Sequence, residues 1–185
     1  MTPHPIGLPP GRPLTRADLD AIPDDGHRYE IIDGSLIVTP APSTEHQEAV
    51  LELTVLLRAV CPPEMKVFVS PLDVVLAEDC VVRPDVVVAR RAEVDGRILS
   101  APPVLAVEVI SPSTRTIDLL LKKARYEYAG AASYWVVDPD PYERSLKCWD
   151  LEGDEYVEVA RVVGAEAAQL EHPFPVTLSP DDLLG

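Results

Sequence analysis

Two stretches near the middle of the chain, DVVVA from Asp85 and VLAVEVI from Val104, are apolar without a break except for one carboxylate each. Runs of this kind predict strands buried on both faces. VFVS from Val67 and LDVVL from Leu72 read as further strands. Upstream, HRYEIIDGSLIVTP sets two apolar segments around Asp33-Gly34, a pair favoured in tight hairpin turns, and Pro40 and Pro42 end the second segment.

Helical spacing appears in two places. Ser43 and Thr44 offer N-caps, and Gln47 completes a capping-box pattern with Thr44. Val50, Leu53, Leu57 and Val60 then repeat at helical spacing up to Pro62-Pro63, and His46, four residues before Val50, begins the row that faces the core. After Ser111-Pro112-Ser113, a second helix is predicted with Ile117, Leu120, Leu121, Ala124 and Tyr128 as its buried stripe. Asp118, Lys122 and Arg125 line an adjacent polar row, and Gly130 is a natural C-cap.

YWVVDPD reads as the next central strand, so strand–helix–strand predicts a parallel pairing. From Ser145 the chain reads as a hairpin turning at Glu152-Gly153-Asp154, followed by a short extended piece and a turn capped by Ser179. At the other end, Thr15 caps a short helix with Asp18 three residues on. The five prolines within residues 1–14 predict a flexible arm ahead of one domain over residues 15–185. The pattern as a whole is mixed α/β (α+β), with helices flanking a sheet and a β-hairpin near each end.

Composition narrows the setting. With 185 residues, 46% hydrophobic and 25% charged, the chain matches one soluble domain with a real core. No apolar run approaches bilayer length and the start lacks a signal-peptide pattern, so no membrane partner is expected. Cys61, Cys80 and Cys148 are odd in number and widely spaced, which fits a reducing cytoplasm and argues against a structural zinc. The net charge of −15 opposes a polyphosphate partner at long range. Its distribution is uneven: eight of the sixteen basic residues lie between Arg83 and Arg125, against five acidic ones.

An ionised carboxylate within an apolar strand is costly unless paired. Asp85 and Glu108, on neighbouring strands, would repel unless a cation sat between them. Mg²⁺ or Mn²⁺ suits one or two carboxylates, several waters and phosphate oxygens, with a backbone carbonyl beside Glu108, that of Val109, as a further oxygen ligand. Lys122 lies on the helix after the Glu108 strand, where its ammonium could serve phosphodiester cleavage, with Tyr126 one turn further along. Plainer readings stand beside these: Asp85 in a turn, Glu108 at an exposed edge, Asp118 and Lys122 as a helix salt bridge, His46 as a core histidine, Glu30 as an exposed strand residue. Asp73, inside LDVVL, calls for a partner that the pattern does not supply.

Taken in order, RYEIIDGSLIVTPAPSTEHQ, PLDVVL, RPDVVVA, LAVEVISPST, DLLLKKARYEYAG and YWVVDPD resemble the Uma-type family of restriction-endonuclease-like proteins, in the PD-(D/E)XK nuclease superfamily. The resemblance runs from about Leu14 to Asp140. It implies a restriction-endonuclease-like mixed β-sheet and a metal-dependent endonuclease acting on DNA. Pro84-Asp85 matches the PD element and Glu108 the second acidic position. Ile110 stands where a lysine is usual, and Lys122 matches the lysine relocated to the next helix, with Lys123 the alternative. Glu30 and His46 match polar positions of the N-terminal half that complete the metal shell or cleft. A homodimer is expected, since many restriction-type enzymes use two sites to cut two strands. Two other readings stay open: a catalytically retired binding or regulatory module on the same scaffold, and a nuclease acting on RNA.

Overall fold

The computed structural model describes residues 8–9, 11–23 and 25–184. The chain opens with α1 (Arg16–Asp20), the hairpin β1 (Arg28–Ile32) and β2 (Ser35–Thr39), and the long helix α2 (Thr44–Val60). Strands β3 (Met65–Val69), β4 (Asp73–Ala77), β5 (Cys80–Val82), β6 (Val86–Arg90), β7 (Val94–Asp95), β8 (Ile98–Leu99) and β9 (Leu105–Val109) follow. A π-helical segment (Ile117–Lys122) runs directly into α3 (Lys123–Ala129) and on to β10 (Ser133–Asp138). The hairpin β11 (Ser145–Glu152) and β12 (Glu155–Val163) is succeeded by β13 (Ala168–Leu170) and β14 (Val176–Leu178).

Two six-stranded mixed sheets result, one ordered β2-β1-β5-β4-β8-β7 and the other β12-β11-β10-β9-β6-β3. The two apolar runs form the middle of the second sheet. There β6 pairs antiparallel with β9, Val86 opposite Val107, and β9 pairs parallel with β10, Glu108 opposite Val136. Both runs are buried on both faces. Val86, Val88, Leu105 and Val107 face a core shared with Leu53 and Leu57 of α2. Val87, Ala89 and Ala106 face a second core shared with Val74, Val82 and Tyr126. No helix among the described residues is long and apolar enough to cross a membrane.

The first hairpin turns at Asp33 and Gly34, both at positive φ, and register pairs Ile32 with Ser35. Asp33-Gly34 is therefore a two-residue turn whose twist matches that of its strands. Gly34 has a second constraint, because a Cβ there would stand 2.4 Å from Pro13 Cβ. Of the proline-rich arm, residues 1–7 and 10 lie outside the described residues. In the remainder, Leu8 packs against a small third core and Leu14, buried, donates its N–H to Gly34 O.

Several expectations need correction. Ser43 caps α2 through the His46 N–H, and Gln47 forms no box with Thr44; its side chain donates to Pro42 O. The buried row of α2 is Ala49, Leu53 and Leu57, while Val60 is exposed. The second hairpin turns tightly on Gly153 and Asp154, with Glu152 opposite Glu155. Asp73 has a partner, since Arg83 Nε donates to it.

The largest correction concerns the second helix. Leu120 is 66% and Tyr128 88% exposed, whereas the polar Asp118 and Lys122 are buried, with Tyr126 below them. The cause is the partners beneath the helix: Glu30 and Glu108 draw Lys122 inward, and the segment Ile117–Lys122 is π-helical. The i, i+4, i+8 row Asp118–Lys122–Tyr126 turns inward, and the apolar row beside it, chosen on hydrophobicity, is the more exposed one.

Candidate active site

The site is assembled from five places in the chain. On β1, alternation sends Tyr29 and Ile31 into the third core and turns Arg28 and Glu30 to the other face. Asp85 is the residue just before β6, fixed by its own N–H to Val107 O and by Ser70 N–H to its carbonyl. Glu108 projects from β9, and Lys122 reaches down from the π-helical segment. His46 comes from the first turn of α2.

These side chains meet. Lys122 Nζ lies 3.1 Å from Glu108 Oε1, 3.0 Å from Glu30 Oε1 and 3.5 Å from Asp118 Oδ1. All four are at most 2% exposed. Three carboxylates therefore face the three N–H bonds of one ammonium. Asp85 accepts from the Val109 N–H at Oδ2, 2.8 Å, and from Arg28 Nη1 at Oδ1, 2.7 Å, with His46 Nε2 3.3 Å from the same Oδ1. Arg28 Nη2 lies 3.8 Å from both Glu30 Oε1 and Glu108 Oε2, and donates to Arg83 O. Glu30 Oε1 also accepts the Arg83 N–H at 2.6 Å.

Of the sequence-predicted residues, Asp85, Glu108, Lys122, Glu30, His46 and Asp118 are thus brought into one cluster. Tyr126 lies beneath it, fully buried, its ring 5.2 Å from that of Tyr134 and its hydroxyl without a hydrogen-bond partner among the described residues. Tyr134 in turn donates to Asp118 O at 2.8 Å. Lys123 is elsewhere, stacked over Trp149 and Tyr156. Val109 touches the site through its N–H. The pattern reading missed Arg28. The available signal was position, since a residue two before Glu30 on a strand shares its face.

Electrostatics follow from burial. Four carboxylates (Glu30, Asp85, Glu108, Asp118) surround two permanent cations (Arg28, Lys122), an excess of two negative charges when all are ionised. Burial drives the Glu108 carboxyl well above the ordinary range, opposed by Lys122 and reinforced by Asp118, Asp85 and Glu30. Burial likewise raises Asp118, again against Lys122. Asp85 goes the other way. Burial would raise it, but the His46 hydrogen bond and the Arg28 charge hold it below its usual range. Burial alone would lower Lys122, yet Glu108, Glu30 and Asp118 raise it above a free lysine, so it stands as an ammonium.

The donor set suits a hard divalent cation: oxygen ligands, surplus negative charge when all are ionised, and an Asp118 Oδ1 without a hydrogen bond among the described residues. Among the described residues, no three His, Cys, Asp or Glu side chains form a ready-made metal cage. Arg28 and Lys122 stand between the carboxylates and hold them apart. Two clefts meet at the cluster, sharing Arg28, His46 and Asp85. The larger, about 1140 Å³, leads past Arg83 and Arg97; the other, about 600 Å³, has Glu108 and Lys122 in its lining and Ser111–Arg115 at its rim.

With this geometry in view, the comparisons with known proteins are informative. The family model Uma2, described as "Putative restriction endonuclease", matches residues 16–183. The chain belongs to this family. Its Uma2 match takes in every element from α1 to the C-terminal turn, and so the whole cluster. Among solved structures, the chain is similar to "a putative nuclease belonging to DUF820 from Anabaena variabilis ATCC 29413", at TM-score 0.74 and 20% identity over 92% of this chain and 97% of that one. At that identity the likeness speaks for the fold, here a restriction-endonuclease-like one. No curated protein matches the chain.

Proposed function

We propose that this Uma2 protein is a divalent-metal-dependent endonuclease that hydrolyses phosphodiester bonds in DNA. One observation carries the reading: Lys122 Nζ is 3.1 Å from Glu108, inside a cleft that Asp85 also lines. Acidic groups for a cation and an ammonium for a phosphate are thus within reach of one substrate position.

In this reading Asp85 and Glu108 hold the metal, Mg²⁺ or Mn²⁺. A bound divalent cation supplies Lewis acidity toward a phosphoryl oxygen and makes water a better nucleophile. Lys122 orients Glu108, and its charge opposes the protonation that burial favours. Of its three N–H bonds, the one toward Asp118 spans the longest distance, and it is the one free to turn to the attacking water or the phosphate. Three carboxylates around Lys122 favour its ammonium form, which suits it to act as a donor and a charge. His46 fixes Asp85 Oδ1 from the cleft side. The choice of DNA rests on the family description. A homodimer is part of the proposal, since two strands need two such sites, and light scattering checks it.

One observation favours a second reading, a non-catalytic module that binds without cutting. Arg28 already neutralises Asp85, as a resident cation would. Purified protein assayed on single- and double-stranded DNA and on RNA, with Mn²⁺ and with EDTA, separates the two. The proposal expects Mn²⁺-dependent cleavage of DNA that Asp85→Asn abolishes. Cleavage of RNA alone would reassign the substrate, and no cleavage of any of them, with the variant indistinguishable from wild type, would favour the module.

A further inference from the structure

The guanidinium of Arg28 lies between Asp85 Oδ1, 2.7 Å from Nη1, and Glu108 Oε2, 3.8 Å from Nη2. Those two oxygens come from the two carboxylates that would hold a metal. Resting on the metal-dependent reading above, we propose that Arg28 is a built-in competitor for the metal: it occupies the cation position until a divalent ion displaces it.

Three observations support displacement over permanent residence. First, the fit to Glu108 is poor. At 3.8 Å the Nη2–Oε2 approach is too long for a hydrogen bond, and Glu108 Oε2 has no closer partner among the hydrogen bonds of the cluster. Second, Arg28 Nε is buried and makes no hydrogen bond among the described residues, so the pose leaves a donor unsatisfied there. Third, there is somewhere to go. Arg28 lines both clefts and its side chain is 23% exposed, in contrast to Lys122 at 2%. A guanidinium that leaves Asp85 therefore enters the space a phosphate would fill, where its fork of donors suits that anion.

Charge explains why such a residue belongs here. Without it, Asp85 and Glu108 would be two buried carboxylates with no cation between them, and Lys122 is already shared among Glu30, Glu108 and Asp118. One positive charge keeps the metal-free site assembled. Two charges, carried by a smaller ion that bonds both carboxylates, compete for the same place. Lys122 serves the cluster from the opposite side, on Glu108 Oε1, and has no reason to move.

The test compares Mn²⁺ binding by titration calorimetry in wild type, Arg28→Gln and Arg28→Lys. Removing the competing charge should tighten Mn²⁺ about tenfold or more, while Arg28→Lys, which keeps it, should stay near wild type. Arg28→Gln in EDTA should also melt below wild type and recover more on adding Mn²⁺ than wild type gains. In the wild-type protein, which avoids any folding defect, Mg²⁺ titration should shift the ¹⁵N resonances of the Arg28 guanidinium and speed exchange of its protons with water. If wild type and Arg28→Gln bind Mn²⁺ equally, or Mg²⁺ saturates the site with the Arg28 signals unchanged, Arg28 is a fixed structural partner and this inference alone fails. If neither folded protein binds Mn²⁺ at all, the metal-dependent reading fails, and the inference with it.

Discussion

Lys122 and Glu108 lie fourteen positions apart, one on a π-helical turn and one in mid-strand, yet their charged ends meet at 3.1 Å with almost no exposure to water. The strand–helix–strand crossover makes this possible. β9 delivers Glu108, the chain crosses over the sheet, and Lys122 on the helix that follows reaches back to the same strand. An ion pair so placed is indispensable to its neighbours, because removing one partner leaves the other charge buried.

Lys122→Met should accordingly be costly even before catalysis is considered. Glu30, Glu108 and Asp118 would lose the cation they share, and a destabilisation of about 3–5 kcal/mol is expected from an uncompensated buried charge. Urea unfolding at neutral pH measures it. A double variant, Lys122→Met with Glu108→Gln, should recover part of the loss, because a carboxyl left buried without its cation is then gone.

The raised Glu108 carboxyl gives the metal-free protein a distinctive pH dependence. An acid whose folded pKa exceeds its unfolded one contributes stability below the unfolded value, ordinarily 4.5 for glutamate, and that contribution is lost as pH rises through the folded value. In EDTA, melting temperature should therefore fall with rising pH above about 4.5 more steeply in wild type than in Glu108→Gln. Differential scanning fluorimetry across a pH series reads the difference. Equal slopes would mean that Glu108 titrates normally.

Gly34→Ala should destabilise the hairpin that carries Arg28 and Glu30. The residue sits at positive φ, and a Cβ would meet Pro13 at 2.4 Å, so strain and a clash act together. A loss of about 1–3 kcal/mol is expected, visible as a lower thermal midpoint. Gly153, also at positive φ but with open space around it, is the control: Gly153→Ala incurs the backbone strain without the clash and should cost less.

Much of this arrangement was legible in the sequence, for a physical reason. A carboxylate inside an unbroken apolar run is anomalous wherever the strand lies, so Asp85 and Glu108 stood out without knowledge of the fold. The Asp33-Gly34 turn and the parallel pairing of β9 with β10 were legible too, since turn chemistry and crossover handedness are local rules. Lys122 needed the family resemblance beside the pattern, because an i, i+4 pair with Asp118 looks the same on an exposed helix as on a buried one. The buried face of that helix was misread because its inward row is polar, and hydrophobicity alone favours the row beside it. Arg28 escaped because its role depends on Asp85, fifty-seven positions away. Strands β5, β7 and β8, of two or three residues, are too short to show a period.

Nucleic-acid binding should depend on a divalent ion. The clefts hold Arg83, Arg97 and Arg115, but also Asp20, Glu48, Asp73 and Asp138, and the whole chain carries −15. Such a surface offers a polyanion little long-range attraction. Fluorescence anisotropy with a short labelled DNA should show binding in Ca²⁺ that is lost in EDTA. Equal binding in both would place the DNA on another surface.

Whether the buried carboxylates are a metal site can be seen directly. Crystals soaked in Mn²⁺ and measured near the manganese absorption edge give an anomalous peak wherever the ion is bound. The account predicts a peak bonded to both Asp85 and Glu108, with Lys122 still on Glu108. Full Mn²⁺ occupancy elsewhere, or no peak with Asp85 and Glu108 unchanged, would contradict it.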